Sequence, residues 1–439
     1  MSYGKRLAGV AALALGLGVG ATAQAVEITI ATVNNADMIR MKNLSDQFEK
    51  KYADIELDWV VLNENTLRQR VTQDIATGGG QFDVMMIGTY EVPIWAEKGW
   101  LNELDFSDSY DVGDLLDPIR KGLSYEGDMY AAPFYGESTM TMYRQDLFDE
   151  AGLSMPANPT WGDIYERAQQ LHKPDDDQFG VCLRGKPGWG QNAALVSTMV
   201  NSFGGRWFDM DWQPQLDTAA WHHAVSFYVD LLGNYGPPGA SSNGFNENLS
   251  LFSGGKCAMW VDATVAAGMV TDPESSQVAD EVAFAQAPHA VTEKGSKWLW
   301  SWALGIPSST QKPEAAQKFV AWATSKEYTR LVAQKEGWRN APPGTRKSLY
   351  QNPKYQKAAP FADKVLDAIQ AARPQDSTLK ESPYVGVQFV GISEFQGIGT
   401  SVGQQLAAAL SGSKSVEQVL KSAQRSTKRT MKRSGYYDN

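Results

Sequence analysis

The chain is expected to fold as α/β, in two lobes that each carry a mainly parallel sheet flanked by helices. Three observations lead there. Strand-like runs alternate with helix-like runs from the start of the mature chain, the pattern of βα units stacked into a parallel sheet. No internal repeat, heptad run or low-complexity tract interrupts the 439 residues. Without a leader about 414 residues remain, two or three domains' worth, and no clean linker divides them. Two lobes give that picture when the polypeptide crosses between them more than once.

Taken in order, the first element is the leader. Lys5 and Arg6 form a basic start, 7–20 is uncharged and apolar, and Ala23-Gln24-Ala25 is a small-x-small cleavage site, so 1–25 reads as a signal peptide removed on export. Its apolar run is shorter than the roughly 20 residues a spanning helix needs, and no later segment comes close. The β-branched run 27–34 predicts a strand, and Met38, Met41, Leu44, Phe48 and Tyr52 mark one helix face over 38–52. The pattern repeats with a strand over 55–62, a helix over 64–76, a break at Gly78-Gly79-Gly80 and a strand over 83–88. Further helices are expected over 163–172, 193–203, 218–235 and 312–336. Further strands are expected over 178–183, 256–261, 281–286 and 298–306. The Pro and Gly clusters at 236–239 and 341–344 read as loops.

Charge excludes some partners. Removing Lys5 and Arg6 from the 40 basic residues leaves 38 against 50 acidic ones, a mature charge of about −12 with His neutral, the wrong sign for a nucleic-acid partner. Cys182 and Cys257 are the only cysteines, so the chain can form one bridge at most or keep two free thiols. No cysteine follows the cleavage site to carry a lipid anchor, and an unanchored exported protein is expected in a periplasm.

The chemistry of the common enzymes is thin. Only His172, His222, His223 and His289 offer imidazoles, none at the i, i+4 spacing of a zinc helix, and no Gly-x-Ser-x-Gly elbow occurs. The segment Gly180 to Pro187 imitates a phosphate loop but has Pro187 where the metal-binding hydroxyl belongs. Gly397-Ile-Gly399 with Gly403 is out of step for a dinucleotide fingerprint. Neither a metal nor a cofactor is expected.

Aromatic chemistry is abundant, with 14 tryptophans and 17 tyrosines. In Trp298-Leu-Trp300-Ser-Trp302, strand alternation puts the three indoles on one face. Such rings stack on the C–H faces of sugars and polyols, whose hydroxyls are met by polar groups at the pocket edge. Tyr135 with Glu137, and Trp260 with Asp262, each place a carboxylate near the end of an apolar run, where a strand meets a cleft. The basic set Lys421, Arg425, Lys428, Arg429, Lys432 and Arg433 reads as the solvated face of a terminal helix.

Four stretches then carry a family resemblance: 78–84, 142–153 followed by Pro159-Thr-Trp161, 252–259, and 304–307 with 314–319. In their order and spacing the chain resembles the extracellular solute-binding proteins of ABC importers, the large group that includes maltose-binding protein. Within it, 182–190, 206–209 and 298–307 look like the branch that binds sorbitol, mannitol and similar polyols. The resemblance implies the two-lobed periplasmic binding protein fold of type II. Lobe one would be 26–134 plus 303–343 and lobe two 135–302 plus 344–439, with crossings near Phe134, Trp302 and Pro343.

The implied function is capture of a sugar alcohol in the cleft and delivery to the membrane subunits of an ABC permease, by a monomer and with no bond broken. The expected ligand-binding residues are Trp298, Trp300, Trp302, Glu137, Asp262 and Tyr135, joined by Tyr90, Asn35, Arg184 and Trp189. Arg339, beside the third crossing, completes them as a guanidinium fork for two adjacent hydroxyls. Three rivals stand: a mono- or disaccharide-binding relative, a periplasmic carbohydrate hydrolase using Glu137 and Asp262 as its acid and base, and a binding protein that serves a chemotaxis receptor alone.

Overall fold

The computed structural model describes residue 1 and residues 25–437. The expected signal peptide falls almost entirely outside the described residues. Ten strands follow in chain order: β1 Val26–Val33, β2 Ile55–Leu62, β3 Val84–Gly88, β4 Ser124–Tyr125, β5 Asp128–Met129, β6 Ala131–Glu137, β7 Thr139–Arg144, β8 Met259–Ala263, β9 Val282–Gln286 and β10 Trp300–Gly305.

A five-stranded sheet has the order β2-β1-β3-β10-β6. β1 pairs in parallel with β2 and β3, while β10 runs antiparallel between β3 and β6. Its helices behave as their ends dictate. Asn63 caps Glu64–Thr77 by accepting from the Thr66 N–H, and Gly78, at φ 62°, closes it in the left-handed conformation that glycine adopts without a Cβ penalty. Two helices expected as single pieces are broken by serine. Ser45 separates Ala36–Leu44 from Asp46–Lys51, its hydroxyl donating to the Lys42 carbonyl. Ser325 separates Pro313–Ala323 from Lys326–Lys335 and accepts from the Tyr328 N–H. Serine's short side chain offers the backbone a competing partner, which ends one helix and starts the next.

The second sheet departs from expectation. Its order is β8-β7-β9 and every pairing between these strands is antiparallel. Parallel pairing there is reduced to single bridges, Phe179 to Cys257 and Cys182 to Trp260. The strand expected over 178–183 is reduced to these two bridges because its ladder with 256–260 is interrupted: Phe179 donates to Lys256 and Cys182 to Met259, but Val181 between them turns its N–H to Tyr235. The same segment carries the bridge between Cys182 and Cys257, whose Cα atoms lie 5.9 Å apart.

One residue, Ser138, separates β6 of the first sheet from β7 of the second, and β10 re-enters the first sheet at Trp300. A third segment lies against this passage. The Gly136 N–H donates to the Pro343 carbonyl, and a Cβ on Gly344, which sits at φ 70°, would stand 1.9 Å from the Gly136 oxygen. Only glycine fits where two backbones approach that closely. The cleft opens beside this junction.

The C-terminal helix Val416–Arg433 packs through Val419, Leu420, Ala423 and Met431. Its basic residues are exposed, and Lys421 pairs with Glu417 one turn before it. Among the described residues, no helix is long and apolar enough to cross a membrane.

Candidate functional site

Register builds the site. β10 and β6 are antiparallel neighbours with Trp300 opposite Glu137 and Trp302 opposite Tyr135. Directly opposed residues share a face, so the indole run and the Tyr-Gly-Glu run, 163 residues apart between Glu137 and Trp300, become one surface. Trp298, Trp300 and Trp302 all line a cavity of about 230 Å³, together with Tyr135, Glu137 and Arg184. The Trp300 and Trp302 rings meet edge to face at 5.3 Å. Trp298 leaves its Nε1–H buried without a partner, a donor that points to an incoming acceptor. Behind Trp300 the backbone gives way: a Cβ on Gly88 would stand 2.1 Å from the indole.

Polar groups close the other sides. Asn35 caps the helix Ala36–Leu44 through its Oδ1 and donates its amide N–H to the Tyr135 hydroxyl at 2.9 Å. Glu137 is 6% exposed, and among the described residues nothing donates to its carboxyl. Burial pushes its pKa up to about 8, opposed by Arg184 and assisted by Asp262, Glu64 and Asp37. Burial also works against the charge of Arg184, yet the carboxylate of Asp262 outweighs it and raises the guanidinium pKa.

Four expected residues take other positions. Asp262 is fully buried and does not line the cavity. Its oxygens accept from Arg184 Nε and Nη2, from Trp260 Nε1 and from the Ala263 N–H, which leaves no direction free toward a ligand. It orients Arg184. Arg339 lies away from the cavity, donating from Nε to the Ala358 carbonyl. The turn Trp338–Asn340 that holds it packs on the helix Pro353–Ala358, so the guanidinium braces a loop. Tyr90 does not line the cavity either: its hydroxyl donates to the Ile392 carbonyl and accepts from the Gln396 N–H. Trp189 stands one layer back, with the Arg68 guanidinium 4.0 Å from its ring centre.

Arg68 is the principal residue that sequence reasoning missed. It is buried, stacks also on Trp300 and Trp302 at 4.7 and 4.6 Å, and is held by Glu64 at 3.0 Å and Glu91 at 2.9 Å. The guanidinium thus backs the aromatic wall by cation–π contact. The i, i+4 spacing of Glu64 and Arg68 at the start of a helix that follows a strand was the available signal. Gln388, whose Oε1 is buried without a partner, had none.

The two sides of the cleft touch. Gln191 donates to Glu64 at 2.8 Å, Asn65 to the Pro187 carbonyl and Asn246 to the Asn34 carbonyl, both at 3.0 Å. The arrangement is that of lobes closed over a small enclosed space.

Residues 35–330 match the model of the bacterial extracellular solute-binding protein family. The chain belongs to that family. Among relatives of this solute-binding protein, the mannitol-binding protein of Pseudomonas aeruginosa is 55% identical over 416 residues, which span 94% of this chain and 95% of the relative. An ABC transporter solute-binding protein from Agrobacterium vitis, solved with bound D-mannitol, superposes with a TM-score of 0.93 at 58% identity, covering 94% of this chain and all of the other. A ribitol complex from Agrobacterium radiobacter superposes with a TM-score of 0.81 over 93% of this chain and 99% of the other; at 23% identity it speaks for the fold alone. The two-lobed α/β fold of periplasmic solute-binding proteins is therefore that of this chain.

Proposed function

We propose that this solute-binding protein captures a linear sugar alcohol of the mannitol and sorbitol class for an ABC importer, closing its lobes over the polyol and presenting the closed form to membrane permease subunits. The observation that carries the reading is the likeness, at 58% identity along 94% of the chain, to a solute-binding protein that holds D-mannitol. The cleft supports it independently. Three indoles offer flat faces for a carbon chain, Trp298 Nε1 and Gln388 Oε1 are buried polar atoms without partners among the described residues, the Glu137 carboxyl lines the same space, and about 230 Å³ is small beside the 300–1,000 Å³ that larger ligands occupy. That size favours one six-carbon unit over a disaccharide.

The protein acts in the periplasm, as a monomer, and breaks no bond. A hydrolase would need a second carboxyl beside Glu137, and Asp262 is committed to Arg184. The lobes are divided near the expected crossings, with Ser138, Trp300 and Gly344 as the passages between them. Ligand selects the closed population. A micromolar dissociation constant, about −8 kcal/mol, is within reach of such contacts.

Calorimetry with D-mannitol, D-sorbitol, ribitol and maltose, with chromatography of each mixture, tests the reading. Tight binding of a hexitol with every ligand recovered intact is expected. Preferential binding of maltose, or a hydrolysis product, would overturn it.

A further inference from the structure

Among the described residues, every cation that lines the cleft already has a carboxylate. Arg184 is taken by Asp262, Arg68 by Glu64 and Glu91 together, and Lys186 by Glu247. Among the described residues Glu137 pairs with no cation; burial and the fields of Asp262, Glu64 and Asp37 favour its protonated form, against the opposing field of Arg184, which is itself bound to Asp262. If Glu137 ionised, it would be one more buried anion beside an arginine already bound to another carboxylate, so burial favours keeping the proton. The neutral form also suits a polyol. A carboxylate only accepts hydrogen bonds, whereas a carboxylic acid presents one O–H donor and one carbonyl acceptor, matching a pair of adjacent hydroxyls that donates and accepts in turn.

We propose that Glu137 meets its ligand as an uncharged carboxylic acid, so that polyol capture is linked to a proton and weakens in alkaline medium. The proposal rests on the polyol reading of the cleft. Burial raises the Glu137 pKa to about 8, in the range where the linkage is felt. The sign follows: below that pH the binding-competent form dominates and affinity is flat, and above it the proton must be regained before the ligand is held. None of the four histidines lines the cavity, burial drives Tyr135 further up, out of the range, and the other carboxylates of the lining, Glu64 and Glu247, are ion-paired with Arg68 and Lys186, which leaves Glu137 as the unpaired acid of the cavity among the described residues.

The test measures the dissociation constant of D-mannitol from pH 6 to 9.5 for the wild type, Glu137→Gln and Glu137→Ala. For the wild type it should rise about tenfold between pH 7 and 9. Glu137→Gln, which keeps a donor and an acceptor but cannot ionise, should lose that rise, and at pH 7 it should bind at least about tenfold more tightly than Glu137→Ala. A wild-type profile flat to pH 9.5, or a Gln variant that keeps the rise, overturns the proposal. A ligand-free arm separates this from failure of the polyol reading. A native state that holds the proton more tightly than the unfolded chain loses stability as pH rises through the interval, so the melting temperature of the wild type relative to Glu137→Gln should fall from pH 5 to 8 and level off above. If D-mannitol does not bind at pH 7, the functional reading has failed. If the melting difference is independent of pH, the protonation proposal has failed.

Discussion

Arg184 grips Asp262 by two nitrogens, Nε at 3.0 Å and Nη2 at 2.6 Å, with Asp262 fully buried and Arg184 nearly so, and its third nitrogen donates to the Gly190 carbonyl at 2.8 Å. Only the Arg184 side of this pair reaches the cavity. Removing one partner of a buried pair leaves the other charge uncompensated, so Asp262→Ala should destabilise the protein by about 3–5 kcal/mol in urea unfolding. Affinity should fall as well, because Arg184 loses its orientation. A stable Asp262→Ala protein with only its affinity reduced would restore a direct ligand contact for this carboxylate.

Gly88 makes room for Trp300. Its Cβ position coincides with the indole, 2.1 Å from the ring, so Gly88→Ala must push Trp300 forward into the cavity or the strand away from it. We expect D-mannitol affinity to drop by about 1.5–3 kcal/mol, the same range as for Trp300→Ala, since either change removes the stacking face. Calorimetry on both variants checks this, with circular dichroism to confirm that the fold persists.

Most of the first sheet could be read from pattern, because its strands alternate with helices locally and β2 falls on 55–62 as expected. In the second sheet the strands at 259–263 and 282–286 overlap those expected over 256–261 and 281–286, but the strand at 139–144 and the antiparallel direction of every pairing were not legible, because these strands lie far apart in sequence. Of the residues that line the cavity, the three indoles were legible from a strand's period of two, Tyr135 and Glu137 from their place at the end of an apolar run, and Asn35 and Arg184 were also among those expected. The split between Glu137 and Asp262 was not legible. Both are carboxylates beside aromatic runs, and only the position of Arg184 decides which of them is spent.

The bridge between Cys182 and Cys257 spans 75 residues. In the chain-entropy account, closing a loop of that length is worth about 4 kcal/mol. Counting thiols on unfolded, unreduced protein should find none. Reduction should lower the urea midpoint accordingly, while ligand affinity changes little below the unfolding range, because neither cysteine lines the cavity. Two titratable thiols would mean that the segments are held by backbone contacts alone.

Arg339 separates a brace from a binding group. Its contact with the Ala358 carbonyl at 3.3 Å ties the turn Trp338–Asn340 to the helix Pro353–Ala358, and the side chain is only half-buried. Lysine keeps the charge but cannot reproduce the planar donor set, so Arg339→Lys should weaken that tie by about 0.5–1.5 kcal/mol. The loss should appear as a lower melting temperature of the ligand-free protein, with the dissociation constant for D-mannitol unchanged. A guanidinium that forked onto the ligand would give the opposite result, a melting temperature that holds and an affinity that falls, and would mean that the segment swings into the cleft when the ligand is present.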